Sequence, residues 1–316
     1  MSECAPDAGV APDLSVGAPE FSVVIASFND WRPLHECLRS LAEQSGAPSF
    51  EVIVVDDGSR ETAPEWITAW NSHFALRVLR QAHAGISAAR NRGVQSSRGE
   101  VVVFVDADCK LQKHCLAVLA AVISDHPQQN YFQLRLIGDS TRLVGRAEEL
   151  RLIIIQQHML QADGCIRYLN TAGFAIRRES TGLAGGVFDP AAQRAEDTLF
   201  LANLMQGGEL PFFVENAIVQ HAIPLNLAQC LLKDIRSAFL EARTYDVIAA
   251  KGVKFRVSHR ERLSLLRLMW ATSAQRSIGR LAWFVLATRQ ALRLVILLGL
   301  DWTGKRFEPR VEAKSL

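Results

Sequence analysis

The clearest feature of the chain is a run of apolar residues, Val101–Val105, that contains no polar position. A half-exposed strand alternates apolar and polar residues, so an uninterrupted run predicts a strand that is buried on both faces. Two similar runs, Phe21–Ala26 and Glu51–Val55, occur earlier, and apolar residues at helical spacing lie between them. This alternation of strands and helices predicts an α/β fold with a mainly parallel central sheet.

The pattern changes after Asn226, where strand signals end and basic, helical segments with many apolar residues follow. The apolar stretches Leu281–Ala287 and Leu294–Leu300 are separated by Arg289 and Arg293. A membrane-spanning helix needs about 20 mostly apolar residues, and a central Arg costs roughly 2.5 kcal/mol or more on insertion. We therefore expect no membrane span in this part of the chain.

Length and composition fit one large domain with an appendage. We divide the 316 residues into a disordered tail (1–19), an α/β domain (20–225) and a basic, apolar helical appendage (226–316). Residues 130–164 show no clear periodicity. The net charge of +2 gives no argument for a nucleic acid partner. Six scattered cysteines without a Cys-x-x-Cys pair, and no signal peptide pattern at the start, predict free thiols and a cytoplasmic location.

Two carboxylates, Asp106 and Asp108, follow directly after the buried strand Val101–Val105. Residues two apart in extended backbone point the same way, and open α/β sheets bind ligands at the carboxyl ends of their strands. Two adjacent anions need neutralisation, and hard divalent cations prefer oxygen ligands. The pattern therefore predicts a Mg²⁺ or Mn²⁺ site that bridges to a diphosphate. The alternative is a strand-ending turn with solvated Asp side chains.

A second acidic pair, Asp56 and Asp57, follows the strand at Glu51–Val55 and precedes a Gly that permits a tight turn. Two such sites at strand ends are harder to attribute to chance than one. Arg90 lies near the predicted start of a helix, where a cation and a helix N-terminus together could bind phosphate. The alternative is that Arg90 is a surface residue of an amphipathic helix.

Two further candidates lie later in the domain. Glu196 and Asp197 precede an apolar helical face, and acidic residues at a helix start are ordinarily caps, which is the alternative to a catalytic role. His221 follows a short predicted strand. A lone His in that position is more often structural or exposed than a metal ligand.

The order of these sites resembles that of the family 2 glycosyltransferases, whose nucleotide-sugar-binding domain has the GT-A fold. The resemblance covers roughly Phe21 to Pro224 and rests on the following motifs, in chain order: Asp56-Asp57-Gly58-Ser59, Gly85-Ile86-Ser87-Ala88-Ala89-Arg90-Asn91-Arg92-Gly93, Asp106-Ala107-Asp108, Glu196-Asp197 and His221. No Gly-x-Gly-x-x-Gly or Gly-Lys-Ser/Thr loop occurs, which argues against dinucleotide-binding and P-loop proteins.

This resemblance implies inverting, metal-assisted transfer of a sugar from a nucleoside-diphosphate sugar to a hydroxyl of a saccharide or lipid-linked saccharide. On the donor side it implies these roles: Ala26 and Ser27 beside the base, Asp57 as a hydrogen-bond acceptor for the base, Asp56 nearby, Asp106 at the ribose or the metal, Asp108 on the metal, and His221 on the metal or diphosphate. For the transfer step it implies Asp197 as general base with Glu196 as its neighbour, and Arg90 fits a helper at the departing diphosphate.

Some residues depart from the family pattern. His83 stands where relatives commonly have Asn. The Gln-x-x-Arg-Trp signature of processive polysaccharide synthases is absent, which favours one sugar per encounter. One alternative is a non-catalytic nucleotide-sugar scaffold or sensor. Another is a nucleotidyltransferase, for which Ser27–Asp30 lacks the expected Gly-rich, basic phosphate loop.

The composition of residues 226–316 predicts a partner for the appendage. Basic, apolar helices without a span suit the inner surface of an anionic membrane, so we expect peripheral membrane contact and a lipid-linked saccharide as a plausible acceptor. The alternative is a helical subdomain that packs on the catalytic core or pairs two subunits.

Overall fold

The computed structural model describes residues 18–139, 141–180, 186–192, 194–222, 226–250, 259–275 and 278–303. All but the last two residues of the predicted tail, 1–19, lie outside these ranges. The chain forms two compact units. The first comprises the described residues within Met1–Arg135, Thr171–Val187 and Val214–Val219, and the second those within Leu136–Asn170, Phe188–Phe213 and Gln220–Leu316.

Apart from the ends of β6 and β8, the eight-stranded sheet lies in the first unit. Its strands are β1 (Phe21–Ser27), β2 (Phe50–Asp56), β3 (Ala75–Arg80), β4 (Val101–Val105), β5 (Cys109–Leu111), β6 (Tyr131–Gly138), β7 (Gly173–Arg177) and β8 (Phe212–His221). The strand order is β3-β2-β1-β4-β7-β6-β8-β5. The neighbours among β3, β2, β1 and β4 pair in parallel, whereas β7 pairs antiparallel with β4 and β6. The α/β fold class is thus confirmed, with a mixed sheet whose parallel part contains the predicted strands at Phe21–Ala26, Glu51–Val55 and Val101–Val105.

The prediction that Val101–Val105 forms a fully buried strand is also confirmed, because all five residues of β4 are buried. β4 lies between β1 and β7, so both of its edges are paired and both of its faces are covered. The Phe104 ring stacks against Phe174 of β7 at 6.2 Å between centroids. The strand therefore holds the turn that carries Asp106 in a rigid position.

The first unit has three α-helices among its described residues: α1 (Trp31–Ala42) and α2 (Ile86–Ser96) connect parallel strands, and α3 (Cys115–Asp125) connects β5 to β6. The apolar residues of α1 at helical spacing are buried as predicted: Leu34, Cys37, Leu38 and Leu41. Helix α2 packs closely on β1, because a β-carbon at Gly93 would overlap the Val24 side chain. The stretch Pro64–Trp70, whose sequence also predicts a helix after β2, forms a 3₁₀-helix over Glu65–Ser72, because it is rich in β-branched and aromatic residues that disfavour an α-helix.

The second unit is helical, with α4 (Leu143–Met159), α5 (Glu196–Gln206), α6 (Leu227–Ala250), α7 (His259–Gln275) and α8 (Arg280–Thr303). Helix α8 packs on α4, α6 and α7, and α5 packs on α6. The core between α4, α7 and α8 contains Ala147, Leu150, Ile153, Ile154, Leu265, Met269, Ile278, Ala282, Val285 and Leu286. The expected helices after Asn226 are present in the described residues. Within those residues, no helix combines the length and apolar character that crossing a membrane requires.

Candidate active site

The first unit brings several of the predicted donor-binding residues to the carboxyl ends of β1 and β2. Ala26 and Ser27 end β1, and Ser27 lies opposite Asp56 in the β1–β2 register. The Asp57 amide donates a hydrogen bond to the Ser27 carbonyl oxygen at 2.9 Å. The Ser27 hydroxyl is buried and makes no hydrogen bond within the described part of the chain. A buried polar atom without a partner is costly in a protein, so this hydroxyl is suited to a ligand at this edge.

Asp56 stabilises the turn that follows β2. Its Oδ1 accepts a hydrogen bond from the Ser59 amide at 2.9 Å, and its Oδ2 lies 3.2 Å from Arg80 Nη1. Gly58 in this turn has a φ of 79°, and a β-carbon there would lie 2.8 Å from the His83 amide nitrogen. Asp56, Gly58 and Ser59 are therefore explained by the turn itself, which needs the Asp56–Ser59 hydrogen bond and a glycine with positive φ. The predicted contact of Asp56 with the donor stays a prediction.

The Asp57 carboxylate is buried and heavily hydrogen-bonded. Oδ1 accepts from Gln81 Nε2 at 2.7 Å and from the Ala84 amide at 2.9 Å, and Oδ2 accepts from the Gly85 amide at 2.9 Å. His83 Nδ1 lies 2.8 Å from Oδ2. A carboxylate has about four lone-pair sites. A donor base bound to Asp57 would therefore compete with one of these four groups.

The His83 side chain is exposed and also contacts an aromatic ring. Its imidazole stacks on Phe28 at 4.4 Å between centroids and 27° between ring planes. The Phe28 side chain is 42% exposed, although its ring is large and apolar. The departure from Asn at position 83 thus places a stacked aromatic pair beside the predicted base-binding carboxylate.

Arg90 and Asp106 form an ion pair, with 2.6 Å between Arg90 Nη2 and Asp106 Oδ1. Arg90 lies in α2 and its side chain is only 2% exposed, which excludes the alternative of a surface residue. Asp106 follows β4 and accepts a hydrogen bond from the Cys109 amide through its carbonyl oxygen at 3.0 Å. A buried Arg needs a compensating anion, and Asp106 supplies it. The two predicted donor-binding residues are therefore brought together.

Asp106 and Asp108 share an electrostatic environment with two buried thiols. Burial raises the pKa of Cys109 and of Cys37, and the charges of Asp108 and Asp106 raise both further. Both thiols therefore stay protonated at neutral pH. The two Asp side chains offer carboxylate oxygens, the ligand type that Mg²⁺ and Mn²⁺ prefer. The residues present at this turn thus fit a divalent cation.

In the second unit, Glu196 and Asp197 occupy the first turn of α5. The N-cap residue is Ala195, which has a φ of 59°. Asp197 Oδ1 accepts hydrogen bonds from the Thr198 amide at 2.6 Å and the Thr198 hydroxyl at 3.2 Å. These hydrogen bonds to the start of α5 agree with the alternative that Asp197 is a helix cap. The Asp197 side chain is nevertheless partly exposed. Its proposed catalytic role stays a prediction.

The same unit contains a buried polar network that the sequence did not indicate. Glu148 and Arg151 of α4 are joined by hydrogen bonds from Arg151 Nε to both Glu148 carboxylate oxygens at 3.0 Å. Burial raises the pKa of Glu148, but Arg151 outweighs burial, His221 adds a smaller lowering effect, and the pKa falls to about 2. Burial lowers the pKa of Arg151, but the Glu148 charge and hydrogen bond outweigh it and raise the pKa. His221, the last residue of β8, is therefore close enough to Glu148 to affect it electrostatically.

Tyr168 extends this network towards Asp197. Its hydroxyl oxygen accepts a hydrogen bond from Asn170 Nδ2 at 3.2 Å and also bonds the Arg151 side chain. Burial raises the pKa of Tyr168, and the negative charges of Glu148 and Asp197 contribute in the same direction. No short motif marks Tyr168 or Arg151, because Arg151 pairs with Glu148 at an i,i+3 spacing that is equally common on exposed helix faces, and Tyr168 is distant from Arg151 in sequence. Only the absence of periodicity in residues 130–164 pointed to an unusual segment.

The fold is similar to that of solved glycosyltransferases. The crystal structure of Staphylococcus aureus TarS 1-349 has a TM-score of 0.53 at 19% sequence identity, covering 92% of this chain and 93% of that chain. The mannosyltransferase PcManGT from Pyrobaculum calidifontis, in complex with GDP-Man and Mn²⁺, has a TM-score of 0.54 at 18% identity, covering 92% and 82%. These matches place the chain among proteins with the GT-A fold.

The sequence comparisons define the family. The model of Glycosyl transferase family 2 matches residues 22–182, and the chain belongs to this family. The chain is 31% identical over 127 residues to EpsH of Bacillus subtilis (strain 168), which is 40% of this chain and 33% of EpsH. It is 34% identical over 110 residues to the poly(ribitol-phosphate) β-N-acetylglucosaminyltransferase TarS of Staphylococcus aureus (strain Mu50), which is 34% of this chain and 19% of TarS. The matched regions therefore span less than two thirds of either relative.

Proposed function

We propose that the protein transfers a sugar, with inversion, from a nucleoside-diphosphate sugar to a hydroxyl of a saccharide or lipid-linked saccharide. The observation that carries the proposal is the edge formed by the ends of β1, β2 and β4. This edge collects a buried hydroxyl without a partner (Ser27), a buried carboxylate (Asp57) and an Arg–Asp ion pair (Arg90 and Asp106). Nucleotides bind at such edges of open α/β sheets.

The donor side of the proposal assigns roles according to chemistry. Ser27 and Ala26 lie beside the base, and Asp57 accepts a hydrogen bond from it. Asp106 is oriented by Arg90 towards the ribose or a metal, and the Arg90 charge offsets the negative charge that develops on the departing diphosphate. The support from relatives is that TarS 1-349 was solved with UDP and with UDP-GlcNAc, and PcManGT with GDP-Man.

A divalent cation, Mg²⁺ or Mn²⁺, completes the proposed donor site. Asp108 would hold it, together with Asp106 and His221. The cation supplies Lewis-acid stabilisation of the diphosphate charge. The support is the carboxylate donor set after β4 and the Mn²⁺ in the structure of PcManGT. The protein side chains carry out the other parts of the reaction.

The proposed general base is Asp197, with Glu196 as its neighbour. Inversion in a single displacement requires that a base remove the proton of the acceptor hydroxyl on the face opposite the leaving diphosphate. The Asp197 carboxylate lies in the first turn of α5 and is partly exposed, so an acceptor hydroxyl can reach it. No Gln-x-x-Arg-Trp motif occurs in the sequence, so we propose addition of one sugar per encounter.

The exposed surface of the second unit supports peripheral contact with an anionic membrane at its cytoplasmic face. Leu281, Phe284 and Val295 lie on one stripe of α8 and are 62%, 53% and 67% exposed. Trp270 beside this stripe is contacted edge-on by the Phe284 ring, and the Arg280 guanidinium lies 4.8 Å from the centre of the Trp270 ring. Aromatic, aliphatic and basic side chains on one helix face are typical of proteins that lie in the membrane interface.

A flotation assay tests this contact. Wild type is expected to float with phosphatidylglycerol vesicles at low salt and to remain at the bottom with phosphatidylcholine vesicles. Phe284→Ser should reduce flotation, because it removes apolar surface that would enter the interface. Leu160→Ser serves as a matched control, since Leu160 is 41% exposed and lies outside α6 to α8. Flotation that is absent, or unchanged in Phe284→Ser, contradicts the proposed contact.

Thermal stabilisation by donor nucleotides tests the proposed function. A ligand that binds only the folded state raises the unfolding temperature, so UDP-, GDP- and dTDP-sugars are measured with and without Mn²⁺ or Mg²⁺. We expect a metal-dependent shift with one nucleotide, and its loss in Asp108→Ala. Asp125→Ala, at the exposed end of α3, is the matched control. A shift that Asp108→Ala retains contradicts the metal assignment, and no shift with any donor contradicts the donor site.

A further inference from the structure

A groove of about 690 Å³ lies in the first unit beside the loops that follow β1 and β2, and its lining includes none of the candidate donor-site residues. One wall is the start of α1, and the other is the segment Glu61–Trp66 after β2. Three hydrogen bonds join the walls: Asn29 N to Ser59 Oγ (2.8 Å), Arg60 N to Asn29 Oδ1 (2.9 Å) and Trp31 Nε1 to the Glu61 carbonyl oxygen (3.2 Å). The groove is therefore preformed, and its volume is within the about 300–1,000 Å³ of small-molecule sites.

The apolar part of the groove is a fixed aromatic group. Trp66 and His35 both line it, and their rings meet edge-on at 4.8 Å between centroids. His35 also contacts Trp70 edge-on at 5.4 Å. Edge-to-face packing holds aromatic rings in defined orientations. The Trp66 ring thus gives the groove a rigid apolar surface of the kind that packs against the C–H face of a pyranose ring.

The polar part of the groove offers both hydrogen-bond donors and acceptors. The Arg32 guanidinium and the Glu61 carboxylate line the groove and are exposed, and neither makes a hydrogen bond or ion pair with the described residues. The guanidinium only donates and the carboxylate only accepts. A sugar hydroxyl donates and accepts, so neighbouring hydroxyls on one ring can satisfy both groups.

The charges of the groove exclude other ligand classes. Glu36 lines it as well, and its pKa is lowered by the Lys110 hydrogen bond at 2.9 Å, with Arg39 contributing. The negative charge of Glu36 is therefore already neutralised by Lys110 and Arg39, so a metal ion is not needed to balance it. The unpaired Glu61 carboxylate repels phosphate, although Arg32 alone would attract it. A neutral ligand with many hydroxyls fits this balance of charge.

We propose that this groove binds a neutral oligosaccharide through the Trp66 ring, Arg32 and Glu61. The groove follows directly after Ser27 and the end of β1 in the chain, so it belongs to the same unit as the candidate donor site. We assign it to a part of the acceptor or product saccharide remote from the reacting hydroxyl. Only that assignment rests on the proposed function, because the binding of a neutral saccharide does not require sugar transfer.

Saturation-transfer NMR tests the binding directly. The probes are neutral gluco-, manno-, galacto- and N-acetylgluco-oligosaccharides, from disaccharides to tetrasaccharides, at millimolar concentration. We expect at least one series to bind wild type, and Trp66→Ala to weaken that binding about tenfold. Because Trp66→Ala removes a ring that His35 packs against, Glu61→Gln is the second variant, and its exposed side chain has no described partner to lose. Glu65→Gln, a neighbouring exposed acid outside the groove, is the matched control.

Several outcomes decide the proposal. Weaker binding in Trp66→Ala and in Glu61→Gln, with normal binding in Glu65→Gln, supports the site. Binding by no neutral series, equal binding in all variants, or binding of nucleotides in place of saccharides overturns it. The donor thermal shift is measured on the same samples. Saccharide binding without a thermal shift by any donor supports the groove and contradicts the proposed transfer. A donor shift without saccharide binding contradicts the groove alone.

Discussion

The two units use ionised side chains in opposite ways. In the first unit, Asp57 and Asp106 stand at the ends of apolar strands, where a chain reversal leaves carboxylates at the edge of the sheet. In the second unit, Glu148 and Arg151 lie in the middle of α4 and bind each other within the protein. The same residue types thus lie at the proposed donor site where a strand ends and pair with each other where a helix is packed in the protein. Their position in the fold, and not their chemistry alone, determines which role they have.

Asp197 makes this comparison testable, because it is a partly exposed acid in the second unit. We propose that it acts as a base and therefore resembles the carboxylates of the first unit in function. The predictions below use substitutions in both units to separate effects on transfer and donor binding from effects on folding. Their expected sizes decrease from the first to the last.

The largest effect is expected for Asp197→Asn. Asn keeps the shape and the hydrogen bond to the Thr198 amide but cannot remove a proton. The rate of transfer should fall about 10²–10⁴-fold, while the donor dissociation constant stays unchanged. Both are measured on one preparation, by product formation and by calorimetry. Asp189→Asn, an exposed acid of the same unit that caps a local turn, is the control. A transfer rate of Asp197→Asn within a few-fold of the wild-type rate would contradict the role of Asp197 as base and leave only its role as a helix cap.

Glu148→Gln should show the opposite behaviour, with a large effect on stability. One pKa unit corresponds to about 1.4 kcal/mol, so lowering the Glu148 pKa from 4.5 to about 2 corresponds to about 3 kcal/mol of stability. Loss of the carboxylate also leaves the partly buried Arg151 without its anion, which is costly. We expect the free energy of unfolding in urea at pH 7 to fall by about 3 kcal/mol.

The pH dependence of this effect has a definite sign. The folded pKa of Glu148 is below its unfolded value, so the stabilisation is complete above pH 4.5 and is lost as the pH falls from 4.5 towards 2. The difference between wild type and Glu148→Gln should therefore shrink below pH 4.5. Glu215→Gln removes the exposed pair with Arg135 and should cost less than about 1 kcal/mol at any pH. A difference that is constant down to pH 3 would contradict the assignment.

The difference between the units also explains which parts of the structure the sequence could predict. β1, β2 and β4 are buried on both faces, so each appears in the sequence as an apolar run. The end of each run then marks the polar residues at the edge of the sheet as site candidates. The ion pair of Arg90 with Asp106 joins two of these positions, although its existence requires the tertiary fold. The alternation of runs and helices predicts the α/β class for the same reason.

The parts that the sequence did not predict depend on contacts between distant residues. β6 contains Gln133, which is buried because its amide donates to the Gly173 carbonyl oxygen at 2.7 Å. Helix α4 contains the buried Glu148 and the partly buried Arg151, so its polar positions do not all mark the solvent side. A periodicity argument assumes that polar residues face water. It therefore fails wherever polar side chains satisfy each other inside the protein, as in residues 130–164.

Arg90→Lys should have an intermediate effect that falls mainly on donor binding. Lys keeps the charge but lacks the planar group that holds Asp106 at 2.6 Å, so Asp106 would lose its fixed orientation. We expect donor affinity to fall about tenfold, since a charged hydrogen bond contributes about 1.5–3 kcal/mol. Arg92→Lys is the control, because the partly exposed Arg92 donates only to the Arg80 carbonyl oxygen among the described residues. Calorimetry that gives equal donor affinity for Arg90→Lys and wild type would contradict the proposed role of the pair.

The smallest effect is expected for His83→Ala, and its direction is informative. His83 occupies Asp57 Oδ2 and stacks on Phe28, so a donor base that binds Asp57 must first displace it. Removing the imidazole removes that competition, and an aromatic contact contributes about 0.5–1.5 kcal/mol. Donor binding should therefore become about two- to tenfold tighter by calorimetry, whereas His73→Ala on the 3₁₀-helix side should have no effect. Weaker binding in His83→Ala would mean that the imidazole forms part of the base-binding surface, and that the departure from Asn at this position favours the donor directly.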